Sequence, residues 1–332
     1  MLYLHGVGHF HPETVIDNQF LVALDIGVDE GWILQRVGIR ERRTVLDLEY
    51  IRTTRNSDVR AAQEASHYSN AQTGCRAAQM ALLRANLEPA DIGMVVAGGC
   101  SPQNLIPADA CMIAASLGIE APSFDINSAC SSFAVQLWLL SRLLPTEGPD
   151  FILVVNSENN TRVTNYSDRR TAVLWGDGSS AVIVSTRVPS PISIVCDTPG
   201  SAPAEWNKIK TPNGGHFDQD GHAVQAFAIR KMCSLFSGLR RVGDDCERTH
   251  FIGHQANRLA LESVQKRLEI PEKAHLFNVD QFGNCGAAGA PSVLSQHWEK
   301  FGPGHSVLMA AVGSGLTWNA LRFDFGSALA EL

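Results

Sequence analysis

The order of strand-like and helix-like segments repeats once along this chain of 332 residues. The first series reads IGMVVAGG, a helical pattern, PSFDIN, a second helical pattern, FILVVN and AVIVSTRV. The second series reads THFIGH, a helix, AHLFNVD, a helix, HSVLMAAV and ALRFDF. Because strands that alternate with helices build sheets covered by helices, the pattern predicts an α/β protein of two pseudo-duplicated halves. We expect the halves, 1–188 and 189–332, to meet around Pro189 and Pro191.

Apolar runs and their periodicity place the individual elements. The predicted strands are Ile92–Ala97, Pro122–Ile126, Phe151–Asn156, Ala181–Val188, Ile192–Cys196, His250–Gly253, Ala274–Asn278, Ser306–Ala311 and Ala320–Phe325. The predicted helices are Thr73–Ala85, Ala108–Leu117, Phe133–Leu144, Ala223–Leu239, Arg258–Leu268 and Ala287–Lys300. The polar segment 45–72 predicts a surface excursion with a solvated helix around Asp58–Ser66. A dimer contact or a place at a pocket entrance is the alternative for that segment.

Composition narrows the classes of function. The chain is 45% apolar and 18% charged, and its net charge of -7 gives no electrostatic case for nucleic-acid binding. The first residues do not form a signal peptide, and no stretch approaches the roughly 18 apolar residues of a membrane helix. Eight cysteines without a CxxC pair or a zinc-ligand spacing predict free thiols in a reducing cytoplasm. The sequence indicates no metal and no organic cofactor.

Cys130 stands where a predicted strand gives way to a predicted helix. Unpaired N–H groups and the helix dipole favour an anion at a helix N-terminus, so a thiolate there is a strong nucleophile. A free cysteine taken alone is more often a small buried apolar residue. The functional interpretation therefore depends on the rest of the chain.

Three further segments carry polar or small residues at the ends of predicted strands. His254, in GHQAN, follows the strand His250–Gly253, and Asn284, in FGNCGAA, lies in a glycine-rich turn before a helix. Ser314 lies in VGSG, whose small residues let backbone N–H groups approach a ligand. The repeat places Cys130 and Asn284 at equivalent junctions, and two such junctions facing each other would form a pocket between the halves. A purely structural histidine and a helix-capping asparagine are the competing interpretations.

Five motifs, taken together, resemble one enzyme family. They are SAC followed by small residues, LWGDGSSAVIV, GHQAN, FGNCGAAGAP and VGSGLTWNALRF. They are similar to those of the thiolase-fold condensing enzymes, and most closely to the β-ketoacyl-ACP synthase III branch. The resemblance covers nearly the whole chain, from HGVGHFHPETVIDN to LRFDF. It implies a thiolase-like fold of layered αβαβα architecture and a catalytic triad of Cys130, His254 and Asn284.

The resemblance also implies a reaction in two parts. Cys130 would attack an acyl thioester and hold the acyl group, while backbone N–H groups of Cys130 and Ser314 form an oxyanion hole. His254 and Asn284 would then stabilise the enolate that forms when a malonyl thioester loses carbon dioxide. The expected function is acyl transfer followed by decarboxylative Claisen condensation with a malonyl or β-ketoacyl thioester. It would serve fatty-acid initiation or a specialised polyketide-type pathway.

Other positions match the ligand contacts of the family. Trp32 would stack on the adenine of coenzyme A and Arg36 would pair with its phosphates, with Arg162 as a poorer candidate for the same pairing. Asn257 is a further predicted substrate contact. Packing on a helix face is the competing interpretation of Trp32.

The family also implies partners. Lys266 and Arg267 resemble the basic helix face that docks acyl carrier protein, although a solvated face explains them equally well. We expect a homodimer, because subunits of the family pair strands across their interface. Ile106 falls where related initiators often have a Phe that reaches the acyl pocket of the partner.

The chain departs from the family pattern in several places. Initiators usually lack a segment like 45–72, Arg258 stands one position before the usual basic residue, and Ser131-Ser132 replaces an Ala/Gly pair. These differences and Ile106 argue against assigning acetyl-CoA as the substrate. Simple acyl transfer and the joining of two β-ketoacyl chains remain alternatives within the class. A non-catalytic partner subunit and a Cys-His hydrolase are the alternatives outside it.

Overall fold

A mixed sheet runs through the protein, of which the computed structural model describes residues 1–326. The strands are β1 (Leu2–Phe10), β2 (Thr14–Asp17), β3 (Glu41–Thr44), β4 (Ile92–Ala97), β5 (Ser123–Asp125), β6 (Phe151–Glu158), β7 (Gly178–Ser185), β8 (Ile192–Cys196), β9 (Gly200–Ser201), β10 (Ile209–Lys210), β11 (Asp218–Gln219), β12 (Thr249–Gly253), β13 (Ser306–Gly313) and β14 (Thr317–Phe325).

Twelve α-helices accompany these strands within the described residues. They are α1 (Asn18–Ala23), α2 (Glu30–Val37), α3 (Leu48–Thr54), α4 (Val59–Glu64), α5 (Asn70–Ala85), α6 (Asp109–Leu117), α7 (Ser132–Leu140), α8 (Arg169–Ala172), α9 (Gly221–Leu239), α10 (Arg258–Arg267), α11 (Val279–Phe282) and α12 (Gly289–Gln296). Short 3₁₀ turns precede α7 and α12.

The sheet contains the same strand pattern twice. Its order is β12-β13-β14-β8-β1-β7-β6-β4-β5, with β9 beside β14. In one half β4 is parallel to β6, and β7 and β1 follow antiparallel. In the other half β12 is parallel to β13, and β14 and β8 follow antiparallel. The repeat of element order predicted from the sequence is therefore a repeat of topology, and the pairing of β1 with β8 joins the two copies.

Helices cover the two half-sheets and fill the space between them. α5 packs outside β1, β6 and β7 with α6 beside it on β4 and β5, while α9 packs outside β13 and β14 with α10 beside it. α7 contacts β6 on one side and β14 on the other, and α12 contacts β1 and β12, so both helices lie in the middle. Apolar side chains fill each of these interfaces. The result is the layered αβαβα architecture that the resemblance implies.

One predicted strand is wrong. The segment Ala274–Asn278 makes a single parallel bridge, from His275 to Phe251, where the first half has the strand β5. The backbone N–H groups of Asn278 and Val279, at the end of this segment, donate to Oε1 of Gln255. The acceptor for these groups is therefore a side chain and not the backbone of a neighbouring strand.

The segment 45–72 forms α3 and α4 and is held to the protein by hydrogen bonds of a buried asparagine. Asn56, between the two helices, is fully buried and donates through Nδ2 to the carbonyl oxygens of Thr161, Arg162 and Thr164. The predicted helix around Asp58–Ser66 is α4, with Asp58 as its N-cap. None of these residues lines the cavity described below. Whether they contact a second subunit stays a prediction.

Candidate active site

The turn that carries Cys130 is a 3₁₀ turn, Ala129–Ser131, that leads directly into α7. Ala129 has a left-handed φ of 49°, an unfavourable conformation for a residue with a Cβ. It permits the abrupt change of direction from β5 into the helix. Cys130 is consequently held at the helix N-terminus, as the sequence predicts, and it is only 8% exposed.

Close contacts hold this turn against the connection between β13 and β14. Ser131 Oγ lies 2.8 Å from Thr317 Oγ1 and 2.9 Å from Ser128 Oγ. Gly313 approaches so closely that a Cβ there would lie 2.9 Å from the Ser131 backbone nitrogen. The segment VGSG therefore packs against the nucleophile turn, and only glycine fits at position 313.

His254 leaves the carboxyl end of β12 and is 7% exposed. The next residue, Gln255, fixes the backbone on both sides of it. Gln255 Nε2 donates to the carbonyl oxygen of Gly253, and Oε1 accepts from Asn278 and Val279. The imidazole interacts with the Cys130 thiol, and this interaction helps to lower the pKa of Cys130.

Asn284 lies in the turn before α12 and is 6% exposed. Its backbone pairs with the LWG segment, because the Asn284 N–H donates to Leu174 O and the Gly176 N–H donates to Asn284 O. Its side-chain Oδ1 accepts from the Gly286 N–H at 3.0 Å. The amide oxygen is thus occupied, and the NH₂ group is left as the donor.

The three side chains meet in one cavity of about 550 Å³. Cys130 comes from one half of the fold, and His254 and Asn284 come from the other. Apolar residues form much of the wall: Val37, Val173, Leu174, Trp175, Ile209, Phe217, Met232 and Val312. Such a wall limits water near the thiol and strengthens polar interactions there.

The charge state of Cys130 follows from its neighbours. Its pKa is well below the usual value, mainly because the thiol of Cys100 donates a hydrogen bond to it and also because His254 lies nearby. Burial acts in the opposite direction. The position therefore favours the nucleophilic thiolate.

Two residues beside the thiol are not recognisable from the sequence. Cys100, in the turn after β4, has its Sγ 3.3 Å from Cys130 Sγ. Glu158, at the end of β6, is completely buried, and burial raises its pKa to about 8. It accepts from the Cys100 N–H and from the Ala287 N–H. A lone Cys or Glu at a strand end carries no recognisable motif; only their shared sheet edge brings them together.

The predicted coenzyme A contacts separate into two groups. Trp32, Arg36 and Asn257 all line the cavity. Asn257 is also the N-cap of α10, where its Oδ1 accepts from the Ala260 N–H. Arg162 is a correction, because it does not line the cavity and is only 4% exposed. Its guanidinium is used inside the protein, where it donates to side-chain or backbone oxygens of Asn70, Ser101, Asn159 and Gln103.

Two other arginines lie in the cavity, where Arg162 was expected. Arg169 and Arg170 line the cavity, and the Arg169 guanidinium lies 5.4 Å from the centre of the Trp32 ring. Both belong to the short helix α8, whose N-cap is Asp168. The motif SDRR could have indicated a basic pair, but nothing in its spacing relates it to Trp32.

The other predicted site residues lie apart from the cavity walls. Ile106 is 86% exposed, and Lys266 and Arg267 are exposed at the end of α10. Ser314 follows β13 immediately, and its hydroxyl donates to the carbonyl oxygen of Ile209.

Among residues 1–326, no group of three or more His, Cys, Asp or Glu side chains is arranged to hold a metal ion. In the same range, no helix has the length and apolar character needed to span a membrane.

Two models of one enzyme family match this chain. The family model described as 3-oxoacyl-[acyl-carrier-protein] synthase III matches residues 124–199, and its C-terminal model matches residues 246–325. A beta-ketoacyl-[acyl-carrier-protein] synthase III of Coxiella burnetii is 30% identical and aligns over 96% of this chain and 97% of its own. A 3-oxoacyl-[acyl-carrier-protein] synthase III of Aquifex aeolicus has a TM-score of 0.85 at 27% identity, covering 98% and 100% of the two chains.

A priming β-ketosynthase of a polyketide pathway has a TM-score of 0.81 at 24% identity, which shows the fold alone. It covers 99% of this chain and 97% of its own. Fold and site thus define a thiolase-fold condensing enzyme of the acyltransferase class. The chain belongs to the β-ketoacyl-[acyl-carrier-protein] synthase III family. The predictions of family, fold class and enzyme class are confirmed.

Proposed function

We propose that Cys130 accepts an acyl group from a thioester and then gives it to a malonyl or β-ketoacyl thioester in a decarboxylative Claisen condensation. One observation carries the proposal: Cys130, His254 and Asn284 come from opposite halves of the fold and line the same largely apolar cavity. The reaction serves fatty-acid initiation, as the family relationship suggests, or a specialised polyketide-type pathway, the setting of one neighbour with the same fold.

In the first half-reaction the Cys130 thiolate attacks the carbonyl carbon of the acyl thioester. A new sulfur–carbon bond forms, and the bond to the leaving thiol then breaks. The backbone N–H groups of Cys130 and Ser314 stabilise the oxyanion of the tetrahedral intermediate. The close packing of Gly313 on the nucleophile turn supports this role, because it brings the end of β13 beside Cys130.

In the second half-reaction a malonyl thioester loses carbon dioxide, and the electron pair of the broken bond forms an enolate. His254 and Asn284 donate hydrogen bonds to the enolate oxygen. The engaged Oδ1 of Asn284 supports this assignment, since it leaves the NH₂ group directed to a ligand. The enolate carbon then attacks the acyl carbon, and Cys130 leaves as a thiolate.

The substrate end of the cavity binds coenzyme A. Trp32 stacks on the adenine, and Arg36 pairs with the phosphates, supported by the two arginines of α8 that line the same wall. Asn257 completes this wall, and its capping of α10 fixes the direction of its side chain.

Acyl carrier protein is the proposed partner at Lys266 and Arg267, whose exposed charges complement an acidic surface. Changing both residues to Glu should raise KM for malonyl-ACP severalfold and leave KM for acyl-CoA unchanged. Arg60→Glu, on the exposed face of α4, is the matched control. An equal effect on both substrates would contradict carrier docking.

A homodimer in the cytoplasm is the proposed state of the protein. β5 is an edge strand of the sheet, and Phe124 on it is 41% exposed. Leu105 and Ile106 nearby in the chain are 78% and 86% exposed. An unpaired edge flanked by apolar side chains favours pairing with a second copy. All eight cysteines are free thiols, as expected in a reducing compartment.

Intact-mass spectrometry with a panel of acyl-CoA donors tests the proposal. An acyl adduct that is lost in Cys130→Ala, followed by carbon dioxide release on addition of malonyl-ACP, is the expected result. No adduct with any donor would refute the enzymatic proposal and favour a non-catalytic subunit. Adducts that transfer without decarboxylation would favour simple acyl transfer, and rapid release of free acid would favour hydrolysis.

A further inference from the structure

A second sulfur lies against the nucleophile. Cys100 Sγ is 3.3 Å from Cys130 Sγ, within hydrogen-bonding distance for a thiol donor. Cys100 sits in the turn that follows β4, so it reaches Cys130 from the neighbouring strand of the same sheet. The turn is also rich in glycine, since Gly98 and Gly99 precede the cysteine.

A buried carboxyl group fixes the position of Cys100. Its N–H donates to both carboxyl oxygens of Glu158, at 3.0 and 2.9 Å, and Ser101 Oγ lies 3.3 Å from the same group. Ala287, beside the Asn284 turn, also donates to Glu158, at 2.8 Å. The contact between the two sulfurs is therefore set by backbone hydrogen bonds and does not depend on a flexible surface loop.

The environment decides which sulfur carries the proton. The hydrogen bond to Cys130, burial, and the neighbouring charge of Cys130 all raise the pKa of Cys100. Cys130 lies at a helix N-terminus and near His254, which favours its ionised form. Cys100 thus remains a thiol while Cys130 is a thiolate, and the S–H group of Cys100 is the donor.

We propose that Cys100 is a further catalytic residue, whose thiol donates a hydrogen bond to Cys130 Sγ whenever that sulfur is negatively charged. This inference rests on the proposed role of Cys130 as acyl carrier. Before acylation the bond stabilises the attacking thiolate. In the condensation step the carbon–sulfur bond of the acyl-enzyme breaks, its electron pair returns to Cys130 Sγ, and the Cys100 S–H group again stabilises the charge. No proton is consumed in either step.

The test is the pH dependence of Cys130 alkylation by iodoacetamide, followed by peptide mass mapping. Loss of this hydrogen-bond donor should raise the midpoint of the alkylation curve of Cys130 by about one pH unit. At a pH below that midpoint, the fraction of Cys130 present as thiolate should then be about tenfold smaller. We expect this shift in Cys100→Ala, and partial restoration in Cys100→Ser, which keeps a hydroxyl donor. Cys75→Ala, a buried thiol in another core cluster, is the matched control and should behave as wild type.

Acylation kinetics separate this inference from the function on which it rests. In wild type at pH 7 an acyl adduct on Cys130 must form; its absence would refute the proposed function itself. If the adduct forms and Cys100→Ala matches wild type in alkylation midpoint and acylation rate, the function stands and the role of Cys100 is refuted.

Disulfide trapping in the wild-type protein provides a check that needs no variant to fold. Diamide takes up the two electrons and two protons of a neighbouring thiol pair, so it should join Cys100 to Cys130 and lower the mass by about 2 Da. Failure to cross-link under conditions in which Cys130 is alkylated would overturn the contact between the sulfurs. Treatment with dithiothreitol should restore the free thiols.

Discussion

Replacing Glu158 with Gln should flatten the pH dependence of the free energy of unfolding between about pH 5 and 8. In the folded protein, burial first and the nearby Cys130 second raise the pKa of this carboxyl group from 4.5 to about 8. Between those values the folded state holds a proton that the unfolded chain has released. The unfolded state therefore binds fewer protons, and stability falls as the pH rises through this window.

The size of the effect follows from the same two values. At about 1.36 kcal/mol for each pH unit above 4.5, the carboxyl group costs about 3 kcal/mol of folding stability at pH 7. Glutamine has nearly the shape of the protonated acid, and its oxygen can still accept from the N–H groups of Cys100 and Ala287. The Gln variant should fold and be the more stable of the two at pH 8.

Urea unfolding at constant protein concentration, followed by tryptophan fluorescence at pH 5, 6, 7 and 8, measures the difference between the two proteins. Other buried groups, such as Asp177, titrate in both proteins, so they cancel in the difference. Glu120→Gln, at an exposed position in the connection between α6 and β5, is the control and should leave the slope unchanged. A difference that is the same at all four pH values would refute the reasoning.

Three further substitutions test other parts of the molecule. Gly313→Ala should reduce kcat about 100-fold in an acyl-CoA condensation assay, because its Cβ would lie 2.9 Å from the Ser131 nitrogen and displace the nucleophile turn; normal kcat would contradict this. Arg322→Ala should lower the free energy of unfolding by about 3 kcal/mol in urea titrations, because it breaks the ion pairs of Arg322 with Asp244 and Asp324. A loss below about 1 kcal/mol would contradict a stabilising role for these pairs. Trp32→Ala should raise KM for acyl-CoA about tenfold in steady-state kinetics. Trp206 is 65% exposed and lies outside the cavity, so Trp206→Ala should leave this KM unchanged, and equal effects of the two substitutions would exclude stacking.

Most strands could be predicted because each of them contains a short, apolar run of residues. Ile92–Ala97 and Ile192–Cys196 have the predicted bounds in the structure. β1 was not predicted, because LYLHGVGHF contains two glycines that weaken its strand pattern. Side chains at Gly6 and Gly8 would collide with the backbone of α5, at Ala81 and Ala77. The close packing of α5 therefore requires glycine at two positions of β1, and these glycines weaken the apolar pattern by which a strand is recognised.

The candidate site divides in a similar way. Cys130, His254 and Asn284 could be singled out because each lies in a motif that resembles one family, and the structure places all three in one cavity, while their catalytic roles stay a proposal. Cys100 and Glu158 could not, since their roles depend on contacts between strands that are far apart in sequence. Arg162 was misplaced for a related reason: burial and the oxygens around it turn an apparent phosphate ligand into a structural cation.

The central place of β1 has a consequence for synthesis and for proteolysis. The strand pairs with residues 178–185 and 192–196, so a ribosome must release nearly two hundred residues before β1 finds both neighbours. Until then its apolar edge is open to chaperones or to other chains. Clipping residues 2–10 from the finished protein would remove the strand whose hydrogen bonds join the half-sheet of Cys130 to that of His254, whereas loss of a terminal strand usually trims only an edge.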